Sequence, residues 1–234
     1  VATLFPREKT KWLNILHAGW PGGLVLGGLL ALGMGSADWR LKVALLFLPV
    51  IAYGILMLGR RFPINERVAA GVSYFEMLRQ VGLFGALIIV SLMIAEVGRV
   101  FEIDLYVQLA IVAVLVLGFG AYTQSIGQPL FIFLLLIMIP LATTELGTDG
   151  WITELMGPEM GKLGLNAGWV LVYTSLIMMI LRFFAGPIVH KLSPLGLLAL
   201  SAALAALGLV ALSKSAGIGI LLAATLYGLG KTFF

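Results

Sequence analysis

The chain has 234 residues, 61% of them hydrophobic and only 11% charged, with no cysteine and a net charge of +4. A soluble domain is about 45–50% apolar, so a water-soluble fold would have nowhere to bury this much apolar surface. The lack of cysteine excludes a disulfide framework and a thiolate metal site.

In chain order the sequence carries eight apolar runs, at residues 12–35, 41–59, 81–100, 105–123, 129–147, 165–185, 195–213 and 216–234. Crossing about 30 Å of hydrocarbon takes about 20 helical residues, so each run reads as a transmembrane helix and the fold class as an all-α polytopic membrane protein. The chain opens at Val1 without Met and its last run is still apolar at Phe234, as expected of an interior piece of a longer protein.

Basic residues gather in short cytoplasmic loops. With the N-terminus cytoplasmic, that side holds Arg7, Lys9, Lys11, Arg60, Arg61, Arg67, Arg79, Arg182 and Lys191. The other side holds Arg40, Lys42, Arg99, Lys162 and Lys214, beside the acidic Asp149, Glu154 and Glu159. This distribution places the N-terminus of the chain inside, and topology accounts for the positive charge. No basic patch interleaved with aromatics points to nucleic acid. The expected surroundings are a lipid bilayer.

Residues 60–80 interrupt the apolar pattern with four arginines and two glutamates. Val68, Val72, Phe75 and Leu78 recur at helical spacing there, which predicts an amphipathic helix on the membrane surface. Residues 146–163 contain Gly147, Gly150, Gly157, Pro158 and Gly161, which predict turns and a short helix. The other connections are tight and force neighbouring helices to run antiparallel.

Ionisable and polar residues at bilayer depth cost energy, so they face a cavity or a partner. In the first run Asn14, His17 and Pro21 share one face, while Gly19, Gly23 and Gly27 form a small-residue stripe for close helix contact on the other. In the fifth, Pro129 and Pro140 precede Thr143, Thr144, Glu145, Asp149 and Trp151. A helix continuing to Asp149 would put both carboxylates on one face. Prolines and glycines in a span mark the broken helices that transporters use for binding and gating. Carboxylates beside threonines and an indole suit a polyol: acceptors for hydroxyls and a flat face for a ring. Glu96 and Arg99 pair with each other or snorkel. Lys231 lies about 22 Å into the last run at 1.5 Å per residue, and either snorkels or faces a central cavity. There is no HExxH metal motif, no GxSxG elbow and no phosphate loop, so neither catalytic residues nor a metal site is assigned and an enzyme is not the expected class.

The segment from Arg182 through Gly186, Pro187, His190 and Lys191 to Pro194 lies between two spans. It resembles the cytoplasmic loop motif of the major facilitator superfamily, in which a helix-end glycine precedes a charged basic turn. The motif's usual acidic residue is absent, with His190 near its place. The opening NILHAGWPGGLVLGG is similar to the fifth helix of fucose permease-like sugar/proton symporters. The resemblance implies residues 1–60 as the end of an N-terminal bundle, 61–80 as a central loop, 81–124 as two extra spans, and 125–234 as the first part of a C-terminal bundle. It further implies a secondary transporter that moves a small polar solute by alternating access, coupled to protons and needing no other cofactor, in a bacterial inner membrane. Asn14, His17, Glu145, Asp149 and Trp151 would then line the substrate path, with Lys231 in the cavity, and Arg182, Gly186, His190 and Lys191 would form the cytoplasmic gate.

Overall fold

A computed structural model describes residues 1 and 3–233, the side chains of Val189, His190 and Pro194 excepted. All its regular elements are helical: α1 (Lys9–His17), α2 (Gly19–Gly33), α3 (Trp39–Ala44), α4 (Phe47–Met57), α5 (Glu66–Ala69), α6 (Tyr74–Val100), α7 (Leu105–Thr123), α8 (Pro129–Ala142), a π-turn (Thr143–Gly147), α9 (Thr148–Lys162), α10 (Gly168–Phe183), α11 (Ala185–Lys191), α12 (Pro194–Lys214) and α13 (Gly219–Lys231). Among the described residues six helical stretches are long and apolar enough to cross a bilayer: Lys9–Gly33, Trp39–Met57, Tyr74–Val100, Leu105–Thr123, Pro129–Lys162 and Leu195–Lys214. The protein is an all-α membrane-embedded protein. The other two expected spans are the shorter apolar helices Gly168–Phe183 and Gly219–Lys231, about 24 and 20 Å at 1.5 Å per residue. By length alone, six of the eight expected runs qualify.

The short polar connections cap their helices. Side chains of Asp38, Asn65 and Asp104 accept from the amides of Arg40, Arg67 and Tyr106 at the starts of α3, α5 and α7. Ser73 and Glu76 cap each other's backbone at the start of α6, a reciprocal arrangement that satisfies two orphan donors. This start and the turn at Gly71 (φ 70°) divide the expected surface helix. Val68 ends up in the four-residue α5, apart from Phe75 and Leu78 in α6. Residues 146–163 also differ from expectation. Their glycines keep ordinary helical backbone, and α9 runs through them because Ile152 and Met160 are buried in the apolar core. Packing overrides the weak local preference of glycine for turns.

The chain forms two compact units, one of Val1–Pro63 with Leu141–Phe234 and one of Ile64–Pro140. In the first, α10 packs against α2, α9 and α13, and α12 against α13. Its core is Ile152, Met160, Val170, Ala205, Leu212, Ile220, Ala223, Ala224 and Tyr227. The helices approach closely through small residues, as helices do where lipid removes the hydrophobic drive to associate. The stripe that α2 uses is not the expected one. Nothing lies within 4 Å of where a Cβ on Gly19, Gly23 or Gly27 would sit, whereas one on Gly28 would come within 2.6 Å of Val172 Cγ2. Gly22, Val25 and Gly28, at three-residue spacing, mark the buried face. In the second unit α6 pairs with α7, and Gly98 and Gly120 let Gln108 and Leu83 approach.

Between α12 and α13 the closest points are Gly208 against the Tyr227 backbone and Gly230 against the Ala205 backbone, where a Cβ would collide. Gly208→Val or Gly230→Val should therefore destabilise the detergent-solubilised protein by about 1–3 kcal/mol or more, read as a lowered melting temperature. Gly150→Ala, which adds a methyl to open space, should leave the melting temperature unchanged or raise it.

Candidate functional site

Pro21 has no N–H, so it cannot donate to the carbonyl four residues earlier, that of His17. That carbonyl closes α1, where chain ends expose unpaired acceptors. It is taken instead by Arg182 of α10, whose Nη1 donates to His17 O at 3.3 Å. The Nε of Arg182 donates to Thr232 O at the end of α13, at 2.8 Å. One guanidinium thus satisfies the C-terminal carbonyls of two helices, where the helix dipole also favours a cation. Its third contact is ionic: Nη2 lies 3.7 Å from Glu145 Oε1.

Glu145 is carried by the π-turn between α8 and α9, a feature that recurs at functional sites because it re-aims side chains. One turn further on, Asp149 receives Lys231 Nζ of α13 at 2.5 Å. The Lys231 side chain is fully buried and that of Asp149 is 9% exposed. Two carboxylates on one stretch of chain therefore meet two cations from two other helices. Their charges are coupled: Glu145 feels Asp149, Lys231 and His17 as well as Arg182. Tyr227, one turn before Lys231, donates its hydroxyl to Thr144 O at 3.0 Å and lays its ring 5.2 Å from Lys231 Nζ, a cation–π distance. Two buried polar atoms, Asp149 Oδ2 and Ser175 Oγ, make no hydrogen bond among the described residues. Native interiors rarely leave such atoms unpaired, so an orphan carboxylate oxygen is the place where a proton or a hydroxyl donor can be received.

Of the residues expected in the substrate path, Glu145 and Asp149 are brought together, and Lys231 joins them by pairing rather than snorkelling. His17 contributes its carbonyl, while its side chain is exposed. Asn14 turns back to donate to Thr10 O of its own helix at 2.9 Å, and Trp151 is 66% exposed. Neither is brought to the cluster: the Asn14 amide is spent within α1, and Trp151, two residues past Asp149 on α9, stands on the exposed side of that helix, opposite the face that carries Asp149 and Ile152. Arg182, expected in a gate, is the centre of the buried cluster. Gly186 lies within α11 rather than in a close-packed turn, and a Cβ there would meet only the Lys11 side chain, at 3.6 Å. Lys191 is exposed at the end of α11, and the side chain of His190 lies outside the described residues. Sequence reasoning missed Tyr227, Thr232 and Ser175; the four-residue spacing of Tyr227 and Lys231 was the available signal.

The arrangement holds no group of three or more His, Asp or Glu positioned for a metal among the described residues. It can exchange protons, receive hydroxyls and break or remake ion pairs between helices. No protein-family profile, curated protein or solved structure matches the chain.

Removing one partner of a buried ion pair strands the other charge and costs about 3–5 kcal/mol, whereas replacing both by apolar groups is often nearly neutral. Lys231→Met should accordingly lower the melting temperature of the purified protein strongly, and Lys231→Met with Asp149→Leu should recover much of the loss. A double variant no more stable than Lys231→Met would show that the two residues are not coupled.

Proposed function

We propose that the protein is a secondary active transporter that moves a small polar solute by alternating access, driven by a proton gradient. The observation that carries the reading is the largely buried double ion pair, in which the partly buried Glu145 and Asp149 meet the buried Arg182 and Lys231. Ionisable groups are kept at bilayer depth when they serve ion or substrate movement. Protonation of either carboxylate would dissolve its ion pair and loosen the tie between α9 and the helix that supplies the cation. That couples proton uptake to helix movement. Asp149 Oδ2, buried without a hydrogen bond among the described residues, is the acceptor we assign to the transported proton or a solute hydroxyl.

A sugar is the solute class this chemistry favours, since carboxylates and threonines accept hydroxyl hydrogens. The loop segment 182–194 and the opening helix support a relation to the proton-coupled sugar carriers of the major facilitator superfamily. The distribution of basic residues supports a cytoplasmic N-terminal side, and the resemblance to those carriers is what suggests a bacterial inner membrane. The exporters of the same superfamily and a passive channel or scaffold are the competing classes, and the response to a gradient separates them.

The test is uptake of labelled sugars and nucleosides by the protein in sealed vesicles, with and without an inward proton gradient. Accumulation of one solute only under the gradient is the expected result. Asp149→Asn and Glu145→Gln, which remove the titrating oxygen and keep the shape, should abolish gradient-driven accumulation while sparing downhill exchange. Gradient-independent equilibration by wild type would point to a channel, and accumulation under an outward gradient to an exporter.

A further inference from the structure

The second unit contains a polar cavity that plays no part in the cluster described above. At Gly82 the backbone of α6 leaves helical geometry (φ 54°, ψ −166°), which strands the amides and carbonyls on either side. Residues 125–128 pair with them. Leu83 and Phe84 donate to the carbonyls of Ser125 and Ile126 at 2.9 and 3.1 Å, and Gln128 donates its amide to Gln80 O at 2.9 Å. Ser125 Oγ donates to Arg79 O at 2.7 Å. Gly82 and Gly127 both have positive φ, and a Cβ on either would collide with the other strand of this clasp. The clasp is built almost wholly from backbone, so it leaves side chains over. The guanidinium of Arg79 and the amides of Gln80 and Gln128 make no hydrogen bond among the described residues, and with Val72, Glu76 and Ser125 they line an open, largely solvent-exposed hollow of about 440 Å³.

Glu76 is held in place by its cap: Oε2 accepts from the amide and hydroxyl of Ser73 at 2.7 and 2.9 Å. Its other oxygen is free to accept. Glu76 and Arg79 stand three apart on one helix face, yet no ion pair joins them within 4.0 Å among the described residues. The cavity therefore offers one fixed anion and one open cation side by side, with two amides. A free phosphate or an anionic head group would be repelled by Glu76, and a simple cation by Arg79. A zwitterion carrying both a phosphate and an ammonium satisfies both.

Depth narrows the choice. The cavity sits past the end of α7 at Thr123 and before α8 begins at Pro129. Phe75 and Tyr122 meet edge to face there at 5.5 Å, and Arg67 stacks on the exposed Tyr74 at 4.0 Å. Aromatic rings of this kind mark the membrane–water interface, where head groups lie. A quaternary ammonium has no N–H to give Glu76, whereas a primary ammonium has three. We propose that this cavity binds the phosphoethanolamine head group of phosphatidylethanolamine, with the phosphate on Arg79 and the amides and the ammonium on Glu76.

Native mass spectrometry of the full chain, incubated with phosphatidylethanolamine, phosphatidylcholine or phosphatidylglycerol of equal acyl composition, tests this. Phosphatidylethanolamine should be retained roughly tenfold better than either, the ratio expected from one charge-assisted hydrogen bond. Glu76→Gln keeps a capping side chain and should lower phosphatidylethanolamine to the level of phosphatidylcholine. Gln128→Ala, which leaves the cap untouched, should weaken retention of all three. Displacement by millimolar free phosphoethanolamine would assign the site to a soluble ligand of the same chemistry, and failure to displace would assign it to the lipid. Equal retention of the three lipids, a preference for phosphatidylglycerol, or an unchanged preference in Glu76→Gln would overturn the proposal.

Discussion

Four charges among apolar helices, Arg182 and Lys231 buried and Glu145 and Asp149 partly so, set the terms for the first compact unit. Taking a carboxylate or an ammonium out of water costs several kcal/mol even after relaxation, so Glu145, Asp149, Arg182 and Lys231 are tolerable only together. Arg182 is the member with the most obligations: it answers a carboxylate and two helix-end carbonyls at once. Its planar, always-charged fork suits that task better than a lysine would. Because its partners come from α1, the π-turn and the end of α13, loss of this residue would leave unpaired groups on three segments.

The rest of the unit serves to bring those partners within reach. Pro21 frees the His17 carbonyl, the π-turn carries Glu145, and the glycine contacts between α12 and α13 let the Lys231 end of α13 pack inward. An ensemble of this kind is stable but breakable. The two ion pairs share a field, so neutralising one carboxylate alters the environment of the other pair. That is the property a proton-coupled carrier needs, and it is why the cluster supports the transport reading more directly than any single residue does.

The second unit solves a different problem. A helix that breaks at Gly82 within an apolar stretch must find new partners for its backbone, and 125–128 provide them. Using main chain for that purpose releases Arg79, Gln80 and Gln128 from structural duty. Polar side chains so released are what the proposed head-group site draws on.

Composition and run length alone determined that this is an all-α membrane protein, because about 20 apolar residues in a row have no other stable environment. They also pointed to Glu145 and Lys231, charges inside apolar runs, and to Asp149 just beyond one, whereas Arg182 drew attention through the loop motif that it opens. What the sequence could not decide was partnership. Whether Lys231 snorkels or pairs depends on Asp149 lying opposite it, 82 residues away in the chain. Which glycines of α2 make contact depends on where Val172 sits, and the expected stripe proved to be the wrong face. Trp151 and Asn14 looked functional by type and position and Gly186 by its place in the loop motif, yet tertiary packing turned the first outward, bonded the second to its own helix and left the third without a close backbone contact. Local chemistry fixes what a residue can do, and only the neighbours that folding brings to it decide which of those things it does.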